Sequence, residues 1–254
     1  MRIEGTHAIV TGGGTGIGAA VARALAGEGA RLTLVGRRRE PLDAVAGAIG
    51  PAAFVAPADV TEREEVERAF AAARDAQGPI TILVNNAGGA ESAPFAKVTP
   101  ELWRRTLALN LDALLHCCQA ALPDLLAAEN GRIVTVASTA GLKGYAYSAP
   151  YAAAKHGAVG LTRALAAEFA RTKLTVNAVC PGFTDTELAA SAVDSIRGKT
   201  GRSEGEARAE LARFNPQGRL IDPAEVAAAV LFLCLPGSGS MNGQALAVAG
   251  GEVM

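Results

Sequence analysis

Residues 6–18 read T-H-A-I-V-T-G-G-G-T-G-I-G, and residues 19–30 continue as an alanine-rich segment. The run from Thr6 to Thr11 is short, apolar and rich in β-branched residues, which is typical of a buried strand. The glycines permit a tight turn, and the alanine-rich segment predicts a helix directly after it. This order is typical of a dinucleotide-binding unit, because N–H groups at a helix N-terminus attract a pyrophosphate. A plain tight turn remains the alternative.

Further apolar runs predict strands that alternate with helices along the chain, at residues 31–36, 52–55, 80–84, 132–137, 175–179 and 245–249. Thr61 is the predicted N-cap of a helix that runs to Gln77, and Thr99-Pro100 begins a long helix. Residues 183–219 are rich in Ser, Gly, Arg and Glu, which predicts a mobile helical lid. No linker or repeat interrupts the alternation. We therefore expect one α/β domain over residues 1–254, doubly wound and Rossmann-type, around a mainly parallel seven-stranded sheet.

The composition favours a soluble protein of the cell interior. The chain has 24 basic and 25 acidic residues, which gives no sign of a nucleic-acid partner. Its 4 cysteines form no C-x-x-C pair and its 3 histidines form no cluster, so we predict no metal site. No signal-peptide pattern and no apolar run of membrane-spanning length is visible. We expect a cytoplasmic protein without membrane attachment.

The end of the second predicted strand bears on which dinucleotide binds. An NAD site usually carries an acidic residue there, which binds the ribose hydroxyls. This chain instead has Gly36 followed by Arg37, Arg38 and Arg39. A small residue followed by guanidinium groups leaves room and charge for a 2′-phosphate, which favours NADP(H) over NAD(H). The alternative is that the arginines only begin a solvated helix.

Tyr151 and Lys155 are four residues apart on a predicted helix that begins at Pro150. This spacing places the phenol and the ammonium on one helix face. A nearby cation favours phenolate, so we expect a lowered Tyr151 pKa and proton exchange with a carbonyl or alcohol oxygen. Ser138, at the end of an apolar run, can hydrogen-bond to the same oxygen. By itself, a Y-x-x-x-K pair also occurs by chance on ordinary helices.

The ordered set of motifs resembles the short-chain dehydrogenase/reductase family over nearly the whole chain. The segment T-G-G-G-T-G-I-G is similar to the cofactor turn of that family. The other matching positions follow in the order of the family, namely Asp59, Asn85–Gly88, Asn110, Ser138, Tyr151, Lys155 and Pro181–Gly182. Each of these motifs is weak alone, and their order makes the resemblance specific.

The resemblance implies a set of site residues. Tyr151 would be the general acid/base, and Ser138 would orient the carbonyl. Lys155 would hold the nicotinamide ribose and depress the Tyr151 pKa, while Asn110, a polar residue in an apolar helical stretch, would support a water-mediated proton relay. The residues implied to bind the cofactor, with NADP(H) favoured, are Gly12, Thr15, Gly16, Ile17, Gly18, Arg37, Arg38, Asp59, Val60, Asn86, Ala87, Gly88, Tyr151, Lys155, Pro181, Gly182 and Thr184.

The implied reaction is the NAD(P)H-dependent interconversion of a ketone and a secondary alcohol. Residues 148–157, 176–186 and 243–251 look most like ketoreductases of 3-oxoacyl thioesters, carried on CoA or an acyl carrier protein. Lys143, Tyr145, Tyr147 and Phe183 are then expected to line the substrate pocket. The alternatives are an NAD-linked catabolic dehydrogenase of a hydroxyacyl-CoA, cyclic alcohol or sugar, and a nucleotide-sensing protein without chemistry. The resemblance also implies a homotetramer.

Overall fold

The centre of the molecule is a parallel sheet. The computed structural model describes residues 3–253. Its strands are β1 His7–Thr11, β2 Arg31–Gly36, β3 Ala53–Pro57, β4 Ile82–Asn85, β5 Arg132–Val136, β6 Thr175–Pro181 and β7 Ala245–Val248. They form one 7-stranded sheet in the order β3-β2-β1-β4-β5-β6-β7. Every neighbouring pair is parallel, so the sheet predicted to be mainly parallel is wholly so.

Helices connect the strands and cover both faces of the sheet. They are α1 Gly16–Gly27, α2 Arg39–Ile49, α3 Arg63–Gln77, α4 Pro100–Leu107, α5 Ala113–Ala127, α6 Ala149–Glu168, α7 Glu187–Thr200, α8 Glu204–Ala212 and α9 Pro223–Cys234. This alternation of parallel strands and helices is the predicted doubly wound α/β fold.

The core lies in two layers, one on each face of the sheet. On one face, Leu25 of α1 and Val230 of α9 are fully buried against apolar strand residues. On the other face, Phe70 of α3 and Ala121 of α5 are fully buried. Strands that are covered on both faces need side chains that are apolar in both directions, which explains why they occur as continuous apolar runs in the sequence.

The strand order places a crevice at the carboxyl edge of the sheet. β1 pairs with β2 on one side and with β4 on the other, so the direction of winding reverses between β1 and β4. Ligands of open parallel sheets bind at such a reversal, outside the carboxyl ends of the strands. The segments that follow β1, β4, β5 and β6 meet at this edge, and they carry most of the predicted site residues.

The helix predicted to have Thr61 as its N-cap starts one residue later, so that N-cap prediction is wrong. α3 begins at Arg63, with Glu62 as its N-cap. Thr61 donates from its N–H and from its hydroxyl to the Asp59 carboxylate, at 3.0 and 2.8 Å. An aspartate that hydrogen-bonds to backbone two residues on competes with the helix for the same groups, which explains the later start.

The long helix predicted from Thr99-Pro100 is divided. Its start is confirmed, because the Thr99 hydroxyl accepts the Leu102 N–H at 3.2 Å. Residues Ala108–Asp112 form a π-helical turn between α4 and α5. Pro123 lies inside α5, near the end of that helix.

Residues 183–219, predicted as helical, contain α7 and α8. These helices share a small apolar cluster that is separate from the main core, formed by Ala189, Val193, Ala207, Leu211 and Leu220. The helical character is therefore confirmed, and movement as a lid stays a prediction. Within residues 3–253, no helix is both long and apolar enough to cross a membrane.

Candidate active site

The glycine turn after β1 is too tight for side chains. A β-carbon on Gly18 would lie 2.1 Å from the Gly12 carbonyl oxygen, so the turn depends on glycine there. The turn leads into α1, where Thr15 is the N-cap without a side-chain hydrogen bond and where the first turn has no acidic residue. An uncapped helix N-terminus without a nearby carboxylate fits an anionic pyrophosphate. Gly16 and Ile17 begin the same helix.

Asn86 links the end of β4 to the glycine turn through hydrogen bonds. Its side-chain amide donates to the carbonyl oxygens of Thr11 and Gly12, at 3.0 and 3.2 Å. In return, the Thr11 hydroxyl accepts the N–H groups of Asn86 and Ala87, both at 3.0 Å. The sequence left a structural and a binding explanation open for Asn86. These bonds give it a structural one, which holds the turn against β4.

Arg37 and Arg38 lie exposed beyond the end of β2, and both are paired with acids. The Arg37 Nη1 is 3.9 Å from the Asp59 carboxylate, and the Arg38 Nη2 is 3.2 Å from the Glu187 carboxylate at the start of α7. Exposed ion pairs contribute only about 0–1 kcal/mol, so a phosphate can replace these partners. Val60, which follows Asp59, is buried.

Ser138 and Tyr151 lie together beyond the carboxyl end of β5. The Ser138 hydroxyl accepts the Ala140 N–H at 3.0 Å, which caps a short helical turn. Burial raises the pKa of Tyr151, and a hydrogen bond with Ser138 opposes that rise. The expectation of a Tyr151 pKa below its ordinary value is therefore wrong. Loss of hydration is the larger effect, and the phenol stays protonated at neutral pH.

Lys155 is a buried cation behind Tyr151, with its residue only 4% exposed. Its Nζ donates to the Val136 carbonyl at 3.0 Å and lies 5.7 Å from the centre of the Tyr151 ring. Burial lowers the pKa of Lys155 to about 8. The predicted helix face thus exists, and it brings a protonated phenol together with an amine whose pKa is lowered.

Asn110 lies in the π-helical turn, and both polar atoms of its side chain are hydrogen-bonded. Its Oδ1 accepts the Gly89 N–H at 3.2 Å, and its Nδ2 donates to the carbonyls of Gly89 and Thr106 at 2.9 and 3.0 Å. A β-carbon on Gly88 would meet both the Asn110 Oδ1, at 2.9 Å, and the Lys155 Nζ, at 3.6 Å. Asn110 and Lys155 therefore flank the same glycine.

The segment after β6 approaches the glycine turn from the other side of the crevice. Pro181 is the last residue of β6, and the Gly182 N–H donates to the Val248 carbonyl at 3.0 Å. The Thr184 hydroxyl donates to the Gly182 carbonyl at 3.0 Å. Further on, Thr186 lies so close that a β-carbon on Gly16 would be 3.0 Å from its methyl carbon.

Three of the four predicted pocket residues cluster beside Tyr151. The Lys143 Nζ is 5.0 Å from the centre of the Tyr145 ring, and that ring meets Phe183 edge to face, with the centroids 6.1 Å apart. Phe214 packs against this cluster, with its ring centroid 5.1 Å from that of Phe183. Tyr147 takes no part in these ring contacts. It is 65% exposed, has a φ of 65°, and its carbonyl accepts the Ala93 N–H.

The site contains residues that the sequence did not single out, namely Thr139, Thr186, Glu187, Phe214 and Glu252. Thr186 had a signal, because threonine followed by glutamate is a common start of a helix. Thr139 and Glu187 are sequence neighbours of Ser138 and Thr186, whereas Phe214 and Glu252 lie far along the chain from their partners, so no local pattern marks those two. Taken together, the uncapped α1, the glycine turn and the exposed arginines fit a nicotinamide dinucleotide along the crevice.

Comparison with known proteins agrees with this reading. The family model of the short chain dehydrogenases matches residues 6–196. The chain is 35% identical to the 3-oxoacyl-(acyl-carrier-protein) reductase FabG of Vibrio cholerae over 254 residues, 100% of both chains. It is 35% identical to the D-beta-hydroxybutyrate dehydrogenase of Cupriavidus necator over 255 residues, 99% of each. Its fold matches a crystal structure of a variant of actinorhodin polyketide ketoreductase with NADPH, with a TM-score of 0.94 and 38% identity over 99% of each chain.

The family match covers most of the chain, and the relatives align along its whole length. The structure independently places a serine, a tyrosine and a lysine beside a dinucleotide crevice. The chain therefore belongs to the short chain dehydrogenase family, and it is an NAD(P)-dependent oxidoreductase that acts on CH–OH groups and the corresponding carbonyls.

Proposed function

We propose that the protein reduces the ketone of a 3-oxoacyl thioester to a secondary alcohol, with NADPH as the preferred cofactor. The observation that carries the proposal is the placement of Ser138, Tyr151 and buried Lys155 at the carboxyl edge of the sheet, beside the glycine turn. The similarity to FabG and to a polyketide ketoreductase supports the choice of substrate.

Ser138 and Tyr151 act on the carbonyl oxygen. The Ser138 hydroxyl donates a hydrogen bond that orients and polarises the carbonyl, and the Tyr151 phenol donates the proton. The raised pKa of Tyr151, caused by burial, keeps the phenol protonated, which suits the reductive direction. When bound, the reduced nicotinamide supplies the hydride that the carbonyl carbon accepts.

Lys155 and Asn110 support this proton transfer. A cationic Lys155 stabilises the phenolate that remains once Tyr151 has given up its proton, and its ammonium can donate to a ribose hydroxyl. With a pKa of about 8, this amine stays mostly protonated at neutral pH. Asn110 holds the loop at Gly88 and Gly89 next to that amine, where water can return a proton from solvent.

The cofactor would lie along the carboxyl edge of the sheet. The glycine turn from Gly12 to Gly18 and the N-terminus of α1 would hold the pyrophosphate, and Arg37 and Arg38 the 2′-phosphate. The remaining residues would line the adenine, ribose and nicotinamide parts of the crevice, and they are Asp59, Val60, Asn86, Ala87, Gly88, Tyr151, Lys155, Pro181, Gly182 and Thr184.

The substrate would enter between the start of α6, which carries Tyr151, and residues 183–219, which would act as a lid. Lys143, Tyr145 and Phe183 already form one wall there, and Tyr147 lies at the exposed rim. Such a half-apolar, half-polar wall suits an acyl chain that carries a polar thioester.

The experiment that tests the proposal is paired. The purified protein is titrated with NADPH and with NADH by fluorescence, and each complex then receives acetoacetyl-CoA, a carrier-protein acetoacetyl thioester or a bicyclic ketone. We expect NADPH oxidation with the thioesters. Tight cofactor binding with turnover of the bicyclic ketone alone would refute the thioester assignment.

Tyr151→Phe tests the proton donor. The variant keeps the ring and removes the acid, so we expect kcat to fall by about 10²–10⁴-fold. The dissociation constant for NADPH should stay within experimental error of the wild-type value, because the ring keeps its place. Turnover close to that of the wild type would contradict the assignment of Tyr151 as the proton donor.

An NAD-linked dehydrogenase of a hydroxyacyl-CoA, cyclic alcohol or sugar is the second candidate. It is favoured by the similarity to a D-beta-hydroxybutyrate dehydrogenase and by the pairing of Arg37 and Arg38 with acids of the same chain. Tighter binding of NADH than of NADPH, with oxidation of 3-hydroxybutyrate in preference to thioester reduction, would select this candidate.

We also propose a cytoplasmic homotetramer. The four cysteines are free and buried, which suits a reducing compartment. Partly exposed apolar side chains on α4 and α5, Trp103 and Leu115, offer surface for association. Light scattering coupled to size exclusion gives the molar mass directly, and a monomer would contradict the tetramer.

A further inference from the structure

The last described turn of the chain buries a carboxylate next to the substrate pocket. After β7, the Glu252 N–H donates to the Ala249 carbonyl at 3.1 Å, and the Glu252 side chain is only 2% exposed. Gly250 makes this turn possible, because its φ is 60° and a β-carbon there would lie 2.0 Å from the Asn215 side chain. The carboxylate therefore points inward.

Glu252 is the end of a directed chain of hydrogen bonds. Its Oε1 accepts from the Tyr145 hydroxyl and is 3.1 Å from the Lys143 Nζ. The Tyr145 hydroxyl is also 2.6 Å from the Thr139 hydroxyl. The Tyr145 hydroxyl has one proton, which it donates to Glu252, so it accepts from the Thr139 hydroxyl. Thr139 directly follows Ser138, so this chain of hydrogen bonds from Glu252 ends one residue from the serine proposed to orient the carbonyl.

The burial of the Glu252 carboxylate costs folding free energy, which indicates that the residue has a role other than stabilising the fold. The second carboxylate oxygen of Glu252, Oε2, is buried, has no hydrogen-bond partner in the described part of the chain, and faces Gly182. Among residues 3–253, the cation paired with Glu252 is Lys143, which is partly exposed. A buried carboxylate that is half satisfied is a poor source of folding free energy.

Tyr145 connects Glu252 to both ends of the predicted lid. Its ring packs edge to face on Phe183, at 6.1 Å, and on Phe214, at 5.9 Å. Phe183 begins residues 183–219 and Phe214 lies just after α8, near the end of that segment. Whatever fixes the Tyr145 ring also fixes the two ends of this segment.

We infer that Glu252 is a positioning residue for substrate binding. It fixes Tyr145 and Lys143, and through Tyr145 it sets the wall that Phe183 and Phe214 present to the substrate. It does not touch the reacting atoms. The inference deepens the proposed function, on which its kinetic test rests, since that test needs a ketone that the enzyme reduces.

Glu252→Met tests the inference, because methionine keeps the length and removes the acceptor. With acetoacetyl-CoA we expect KM to rise by roughly ten-fold, since a hydrogen bond to a charged group is lost. We expect kcat to stay within about three-fold and the NADPH dissociation constant to be unchanged. Tyr145→Phe should raise KM by a similar factor. The KM of the double variant should be close to that of either single variant, because both substitutions break the same Tyr145–Glu252 hydrogen bond.

A second readout does not need turnover. Trypsin has sites within residues 183–219, at Arg197, Lys199, Arg202 and Arg208 among others. We expect Glu252→Met to speed cleavage there and Glu252→Gln, which keeps an acceptor for Tyr145, to speed it less. The matched control is Glu67→Gln, at an exposed carboxylate that pairs with Arg63 on α3. It should change neither KM nor the rate of cleavage.

The outcomes separate the two proposals. Wild-type KM and wild-type cleavage in Glu252→Met, or additive effects with Tyr145→Phe, would overturn the positioning role. No ketone turnover by the wild-type enzyme, together with faster cleavage in the variant, would overturn the proposed function and support the role of Glu252. If Glu252→Met does not fold, Glu252→Gln and Tyr145→Phe carry the same kinetic and cleavage tests.

Discussion

Burial acts in opposite senses on the two ionisable groups at the centre of the site. It raises the pKa of Tyr151 and lowers that of Lys155 to about 8, because an apolar environment penalises whichever form is charged. Among the described residues, the Lys155 ammonium has a carbonyl and no carboxylate as its partner. A buried cation held in this way costs folding free energy, and its chemical use explains its presence.

Lys155→Met should therefore stabilise the protein while abolishing turnover. In the unfolded chain the Lys155 amine keeps its proton up to a pH of about 10.5, whereas in the folded protein it releases the proton above a pH of about 8. The contribution of Lys155 to the free energy of unfolding therefore rises with pH between these two values and is lowest below them. We expect a gain in the free energy of unfolding at pH 7 of at most on the order of 3 kcal/mol, which shrinks by pH 10. Urea unfolding at both pH values measures it, with exposed Lys199→Met as the control. If Lys155→Met lowers the free energy of unfolding equally at pH 7 and pH 10, the expected stabilisation is contradicted.

At the scale of elements, the π-helical turn at residues 108–112 explains how one asparagine reaches the site. A π-helical turn adds a residue to the helix and is often found at functional sites. Here it lets the Asn110 side chain bond to Gly89, in the loop after β4, as well as to Thr106 one turn earlier. The loop is thereby held against the helix.

Asn110→Ala should loosen this loop. The substitution leaves the Gly89 N–H and two carbonyls without their partner, so we expect a loss of about 1–3 kcal/mol in the free energy of unfolding. Hydrogen exchange should speed up at Gly88 and Gly89 more than elsewhere. Thr99→Ala, which removes the cap of the preceding helix, is the control for a purely helical effect. An unchanged exchange rate at Gly89 would contradict the expectation that Asn110 holds this loop.

Local patterns predicted the elements, and remote contacts decided where they end. The glycine turn and the apolar runs gave the order of strands and helices because each pattern lies within one segment. β6 runs on to Pro181, beyond its predicted end at Val179, because β7 pairs with it there. In the same way, Ser138, Tyr151 and Lys155 could be found from spacing. Glu252 could not, because its partners lie more than a hundred residues away in the sequence.

At the scale of the whole molecule, the start of the predicted lid bridges the dinucleotide crevice. Thr186 contacts Gly16 of the glycine turn, and Glu187 pairs with Arg38 beyond β2. A 2′-phosphate at Arg38 would compete with Glu187. If Arg38 holds a 2′-phosphate, cofactor binding and the position of residues 183–219 would be coupled by charge, through a pair that salt would screen.

The cofactor preference can be measured as a change in the stability of the whole protein. A ligand that binds only the folded state stabilises it in proportion to the logarithm of its affinity. If Arg37 holds the 2′-phosphate, Arg37→Ala should weaken NADPH binding at least about ten-fold, or about 1.4 kcal/mol, and leave NADH binding unchanged. At saturating cofactor, the stabilisation by NADPH should then fall by about 3–6 °C in Tm. Arg39→Ala, which breaks only the pair with Asp43 on α2, is the matched control. Equal losses for both cofactors, or no loss for either, would refute the 2′-phosphate site and favour the NAD-linked enzyme.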